Sequence, residues 1–214
     1  MIVLAGIEAR NLVIESLAIP PGRTAVIGTN GSGKTTLLEL CCGLILPEHG
    51  TVNVDGCPPR QVDAALVPAH PGPPMLFSRV ADELASSGRF AGLSPREVDH
   101  RVATAADAVG ARGLLGRSTR SLSGGERFVI SLAASLASQP VILALDEFDA
   151  ALDRQSLADL LPAVRGSSAR YIIWSTHDPD LARQADHAIA IAAGRIVATG
   201  PGALSYFEMW ERAG

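Results

Sequence analysis

Residues 28–36 read GTNGSGKTT, and that spacing suits phosphate chemistry. Glycines at 28, 31 and 33 let a backbone wrap closely enough for successive N–H groups to point at an anion. Lys34 brings a cation to β- and γ-phosphates, and the Thr35 hydroxyl can ligate Mg²⁺. The candidate nucleotide-binding set is therefore Gly28, Thr29, Asn30, Gly31, Ser32, Gly33, Lys34, Thr35 and Thr36. A second group follows the apolar run Ile142–Leu145, where Asp146 and Glu147 place two carboxylates at the end of a buried strand. There Asp146 is placed to hold Mg²⁺, directly or through water, and Glu147 to polarise an attacking water. A third group, Ser121-Leu122-Ser123-Gly124-Gly125-Glu126, opens a helix over Arg127–Ser138. Its serine hydroxyls and helix N-terminal amides make another anion site.

These groups need particular elements beneath them. Thr24–Ile27 is a β-type run leading into the glycine loop, and Thr35–Leu40 opens a helix whose N-terminus faces the phosphate. Short β-like runs are expected at Ile2–Leu4, Ile7–Arg10 and Ser16–Ile19, then at Thr51–Val54 and Ala64–Val67. Residues 68–74 are too rich in proline for helix or central strand and form an extended connector. From Val80 to about Arg117 the pattern is helical, with Ser94-Pro95-Arg96-Glu97 as a helix start: Ser94 caps, Pro95 fits the first turn, and Glu97 completes a capping box. Strand signals return at Val141–Leu145, Tyr171–Ser175, His187–Ala192 and Arg195–Ala198, and Ala203–Arg212 reads as a short amphipathic helix. The chain is thus an α/β protein with a helical insert.

Composition narrows the class. At 214 residues the chain can bury a full core without staples. Its mean hydropathy is +0.23, yet no apolar run approaches the length of a bilayer span, and the N-terminus lacks the form of a signal peptide. Such apolarity fits either a thick buried sheet or a sizeable subunit interface. A net charge of −4 with no basic run argues against nucleic acid as the main partner. Cys41, Cys42 and Cys57 form no metal-ligand pattern and read as buried free thiols of a reducing cytoplasm.

Taken together the motifs resemble an ATP-binding cassette (ABC) ATPase, the nucleotide-binding subunit of ABC transporters. GTNGSGKTT is similar to the family's Walker A, LSGGE to its signature motif and ILALDE to its Walker B. AALD at Ala150–Asp153 resembles the D-loop, and STHD at Ser175–Asp178 the switch histidine. The resemblance covers essentially the whole chain. It implies a P-loop NTPase (RecA-like) core with an antiparallel β subdomain and an inserted helical subdomain, the core over 1–68 and 140–214 and the helical part over 75–139. It also implies a head-to-tail dimer in which Ser123, Gly124, Gly125 and Glu126 of one subunit close on ATP held by the other. Lys34, Glu147 and His177 would be catalytic, Thr35 and Asp146 would hold Mg²⁺, and Asp153 would lie in the D-loop. Partners would be a second ABC ATPase subunit and transmembrane permease subunits, with the chain cytoplasmic and peripheral on the inner face of the cell membrane. Cargo would be chosen by other subunits; the motifs leave both import and export open, although the compact chain and GLILPEHG after Walker A look importer-like. Two other readings stand beside transport: a soluble ABC ATPase of assembly or regulation, and a weakly active partner in a heterodimeric pair.

The chain departs from the family pattern in three places. A glutamine usual at the end of the Ala64–Val67 strand is replaced by Ala69, with His70 beside it either substituting as a polar contact or standing as an exposed loop histidine; Gln61 reaching the metal would overturn that alignment. Phe128-Val129 and Ala134 in the signature helix, and Phe148-Asp149 before the D-loop, replace more polar or proline-containing residues and point to altered packing. Outside these three places, Met75-Leu76-Phe77, after Pro73-Pro74, is apolar enough to meet a permease helix, the alternative being local packing. Finally, Arg10–Ser16 offers no aromatic to stack on a base, an interaction worth on the order of 1 kcal/mol or more. ATP and GTP are accordingly expected to bind with comparable affinity in competition titrations; a strong preference for ATP would count against this.

Overall fold

The computed structural model describes residues 1–69, 75–150 and 152–211, and of 207–211 only the backbone. Expectations for His70 and residues 71–74 lie outside the described residues.

Alternating burial builds the first hairpin. β1 (Ile2–Ala9) buries Ile2 and Leu4, then Ile7 and Ala9; β2 (Leu12–Ile19) buries Leu12, Ile14, Leu17 and Ile19. The two runs expected at Ile2–Leu4 and Ile7–Arg10 are one strand. Gly6, at φ 60°, sits in an irregularity that shifts the register between Ala5 and Glu8 against β4 (His49–Val54). This bulge absorbs the break in alternation that makes the sequence look interrupted. The turn after β4 carries Cys57 at the surface, whereas Cys41 and Cys42 are buried. Cys57 therefore departs from the expectation of three buried thiols, because the Asp55-Gly56 turn lifts it out of the sheet. Burial pushes the Cys42 thiol up to about 12.

The middle of the sheet follows a different rule. β3 (Gly22–Gly28), β6 (Ile142–Leu145), β7 (Tyr171–Thr176) and β8 (His187–Ala192) each carry an unbroken apolar stretch, and β6 and β7 are buried along their whole length. Strands covered on both faces have no reason to alternate, which is the signature of a parallel sheet. β3 pairs in parallel with both β7 and β8, and β6 with β7. With β5 (Ala64–Val67) and β9 (Arg195–Thr199) the order is β4-β1-β2-β9-β8-β3-β7-β6-β5. Helix α1 (Lys34–Cys41) buries Leu37, Leu38 and Leu40.

Residues group into two compact units: Met1–Leu66, Val141–Asp149 and Ala169–Gly214 in the first, Val67–Pro140 and Ala150–Ser168 in the second. The second is helical: α2 (Val80–Phe90), α3 (Pro95–Ala108), α4 (Gly124–Ser138) and α5 (Arg154–Arg165). The Ser94 hydroxyl accepts the Glu97 N–H at 3.3 Å, with Pro95 in the first turn of α3. In the first unit, α6 (Pro179–Ala182) precedes β8 and α7 (Pro201–Glu211) follows β9.

One ion pair fixes where β3 starts. The Arg23 guanidinium grips Asp186 bidentately, at 3.0 Å from Nε and 2.7 Å from Nη2, and the Arg23 N–H adds a third bond at 3.0 Å. These bonds hold the Asp186 carboxyl down to about 2, against 3.8 for an unperturbed aspartate. A carboxyl depressed in the folded state stabilises above its unfolded value and loses that contribution as pH falls through the folded one. Both side chains are about a third or more exposed (32% and 42%), so screening keeps the effect small. Asp186→Asn is expected to lower unfolding stability near neutral pH by less than about 1 kcal/mol. Denaturant titrations should show the gap to wild type closing between about pH 4 and pH 2.

Candidate active site

Parallel register brings three strand ends to one edge of the sheet. Ile27 lies beside Thr176, and Leu145 beside Trp174, so the loop after β3, the carboxylates after β6 and the histidine after β7 emerge together. Ligands of open α/β sheets bind at that edge. The expected residues Gly28–Thr35, Asp146, Glu147 and His177 all gather there in the first unit. Thr36 instead turns into the packing of α1 and is 5% exposed.

The loop is shaped for close approach. Gly33 caps α1 at φ 111°, and a Cβ there would lie 2.9 Å from Leu12 Cδ1. Lys34, 5% exposed, folds back so that its ammonium donates to the Gly28 carbonyl at 3.0 Å and the Thr29 carbonyl at 3.1 Å. It also lies 3.2 Å from His177 Nε2. An ammonium has no lone pair, so Nε2 accepts and the ring proton sits on Nδ1. Burial pushes the Lys34 ammonium below its ordinary value, opposed by the charges of Glu147, Asp146 and Asp149.

Hydroxyls hold the carboxylates. Thr35 Oγ1 donates to Asp146 Oδ2 at 2.7 Å, and Ser175 Oγ donates to Asp146 Oδ1 at 2.7 Å. Ser175 Oγ in turn accepts the Glu147 N–H at 2.6 Å. Glu147 adopts φ 46°, the left-handed region that a residue with a side chain enters at a cost on the order of 1 kcal/mol. Its carboxylate stands 3.7 Å from His177 Nε2. Asp149 Oδ2 accepts the Thr176 hydroxyl at 2.8 Å and the His177 N–H at 3.2 Å. Asp149 Oδ1 and the Ser32 hydroxyl are buried with no hydrogen-bond partner among the described residues.

The donor set fits a hard divalent cation. Thr35 Oγ1 and Asp146 Oδ2 are neighbouring oxygens, with no thiol or imidazole bonded to either. Among the described residues no three His, Cys, Asp or Glu form a metal cluster. Mg²⁺ typically takes one or two protein oxygens and completes its shell with water and substrate phosphate.

The second unit carries the signature residues. Ser123 Oγ accepts the Glu126 N–H at 3.2 Å while the Glu126 carboxylate accepts the Ser123 N–H at 2.8 Å, a reciprocal capping box at the start of α4. The Ser123 N–H, with Arg117 beside it, holds the Glu126 carboxyl below its usual range. Ser123 and Gly124 are exposed and Gly125 is half-buried. Asp153 caps α5, accepting the Ser156 N–H at 2.7 Å. Gln61 lies exposed in a 3-10 turn ahead of β5.

Sequence reasoning passed over four residues that hold this arrangement: Asn11, Asp149, Ser175 and Thr176. The signal for Ser175 and Thr176 lies inside STHD, whose two hydroxyls directly precede the histidine. For Asp149 it is a carboxylate beside Phe148, just before the D-loop. Asn11 had no local signal.

Known proteins now bear on the chain. The ABC transporter family model matches residues 15–150. The nickel import ATP-binding protein NikO of Rhodobacter capsulatus is 38% identical over 207 residues, covering 87% of this chain and 82% of the relative. The energy-coupling factor transporter ATP-binding protein EcfA1 of Mycoplasmopsis pulmonis is 30% identical over 196 residues, covering 86% and 74%. Among solved structures, CbiO1 of Clostridium perfringens, part of the ABC transporter complex cbiONQ, superposes with a TM-score of 0.82 at 23% identity over 99% of this chain and 92% of that one. The ATP-binding cassette MJ0796, solved as a dimer in a post-hydrolysis state with ADP and Pi, gives 0.78 at 18% identity over 93% and 97%. At such identities the two structures speak for the fold. The chain belongs to the ABC transporter family. It has the P-loop NTPase fold, and it is an ATPase of the ATP-binding subunit type.

Ser175 is fully buried and serves two partners. Ser175→Ala would strand the Asp146 acceptor and the Glu147 N–H, and unpaired buried groups cost about 1–3 kcal/mol. A urea midpoint lowered by that free energy divided by the m-value, with the m-value unchanged, is the expected result.

Proposed function

We propose that the chain hydrolyses ATP as one subunit of a head-to-tail pair that powers an importer. The observation that carries this reading is the cluster of Lys34, Thr35, Asp146, Glu147 and His177 at one sheet edge. The importer assignment is supported by the names of relatives, one for nickel import and another for an energy-coupling factor transporter.

Each residue has a role that follows from its chemistry. Loop amides of residues 28–33 and the Lys34 ammonium bind the phosphates of ATP, with Lys34 exchanging its present carbonyl acceptors for phosphate oxygens. Thr35 and Asp146 hold Mg²⁺, which when bound neutralises charge on the β- and γ-phosphate oxygens. Glu147 orients the attacking water and accepts its proton; His177 faces the same space through Nε2. Ser123, Gly124 and Gly125, exposed or half-buried at a helix N-terminus, bind the γ-phosphate held by the other subunit. Glu126 preserves the shape of that turn through its capping box, and Asp153 preserves the turn of the D-loop.

Coupling to a membrane partner runs through the second unit. Among the described residues no helix is long and apolar enough to cross a membrane, so permease subunits supply the passage and keep the chain at the inner face. Leu76 is 81% exposed, an apolar side chain available to a permease helix. Cargo selection belongs to those subunits.

Glu147→Gln separates binding from chemistry, since the amide keeps the shape of the carboxylate but is a poor base. Steady-state turnover should fall about 10²–10⁴-fold, and size-exclusion chromatography with ATP should show an accumulated dimer. A variant that stays monomeric with ATP and turns over normally would remove Glu147 from this role.

A further inference from the structure

Three turns meet, two hairpin turns and the phosphate loop itself. The Arg10–Asn11 turn joins β1 to β2, and the Ala193–Gly194 turn joins β8 to β9. Asn11 Nδ2 donates to the Gly31 carbonyl at 2.6 Å. The Gly194 N–H donates to the Ser32 carbonyl at 3.1 Å, and the Gly194 carbonyl accepts the Val13 N–H at 2.8 Å. The three turns form one chain of hydrogen bonds. Gly194 stands at φ 74°, and a Cβ there would lie 1.8 Å from the Asn11 carbonyl oxygen, so no other residue fits between the hairpin and the loop.

The consequence follows from peptide geometry. In a trans peptide the C=O and the following N–H point in opposite directions, and the described chain has no cis bond. With the Gly31 carbonyl drawn outward to Asn11, the Ser32 N–H turns inward, where its acceptor is the Thr29 carbonyl at 3.2 Å. With the Ser32 carbonyl drawn outward to Gly194, the Gly33 N–H is turned the other way. That N–H has no acceptor among the described residues. We infer that Asn11 and Gly194 are positioning residues of the phosphate site, holding two loop carbonyls away from it. The Gly33 amide is thereby left for an arriving triphosphate, and the Ser32 amide can exchange the Thr29 carbonyl for a phosphate oxygen. This inference rests on the proposed ATP site. It differs from base recognition, because what Asn11 orients is the contact with phosphate alone.

The test compares Asn11→Ala and Asn11→Asp with wild type in binding to ATP and to inorganic tripolyphosphate, both with Mg²⁺. A carboxylate cannot donate to the Gly31 carbonyl, so the nearly isosteric aspartate removes the bond while keeping the shape. Affinity should fall about three- to tenfold for the alanine variant and at least as much for the aspartate variant. The same factor should appear for tripolyphosphate, which has no base or ribose. The loss should sit in KM, with kcat at saturating ATP within about twofold of wild type. Asn11 is exposed, so melting of the ligand-free variants should match wild type, whereas a purely structural role would lower it. Unchanged affinity in both variants, or a loss for ATP that tripolyphosphate does not share, would overturn the inference. Failure of wild type to bind either ligand would instead remove the ATP site on which it rests.

Discussion

Parallel pairing of β6, β7 and β3 is the constraint on which the site depends. Backbone hydrogen bonds lock Leu145 beside Trp174 and Ile27 beside Thr176. A one-residue slip would invert the facing of every side chain on the slipped strand. In β6 and β7, buried on both faces, a slip would not expose an apolar residue, so hydrophobicity alone sets register weakly there. Polar residues at the strand ends supply the missing specification. Ser175 meets Asp146 only if β6 and β7 are in this register, and the pair is buried. The contact that orients the Asp146 carboxylate also fixes the strands that carry it.

Electrostatics turns the same cluster into a balanced one. Burial disfavours the Lys34 ammonium, and three nearby carboxylates oppose that effect. Its donors meanwhile rest on the Gly28 and Thr29 carbonyls, which close the loop on itself. A triphosphate brings charge of the sign the cation lacks after its carboxylate neighbours are engaged by hydroxyls. In the proposed ATP site, binding would exchange these neutral acceptors for charged ones, and charge-assisted bonds are roughly twice as strong as neutral ones.

Much of this was legible in the sequence, for reasons particular to each element. The glycine loop and the runs at Ile142–Leu145 and Tyr171–Ser175 carry their geometry locally, through backbone freedom in one case and unbroken apolarity in the other. Ser94 and Ser123 declare helix starts because capping is decided within four residues. What stayed hidden is non-local. Gly6 reads as a break between two strands until β1 is seen to bulge there against β4. Asn11 bonds Gly31, 20 residues on, and Gly194 meets Ser32 and Asn11 from the far end of the chain. No periodicity connects such positions; only the sheet order places β2, β9, β8 and β3 side by side.

The pair Ser175-Thr176 shows how little sequence suffices once the strand is in place. Successive strand residues face opposite sides of a sheet. Ser175 thus reaches Asp146 and the Glu147 amide on one side, while Thr176 reaches Asp149 on the other. The four residues after β6 must then cross the strand end, and the left-handed turn at Glu147 lets them do so. Asp149, arriving on the far side, accepts the His177 N–H and orients the main chain from which that imidazole projects. The strain at Glu147 is therefore tied to the geometry of the whole cluster. Relaxing it to an ordinary backbone would move Glu147 off the Ser175 hydroxyl and Asp149 off the histidine together.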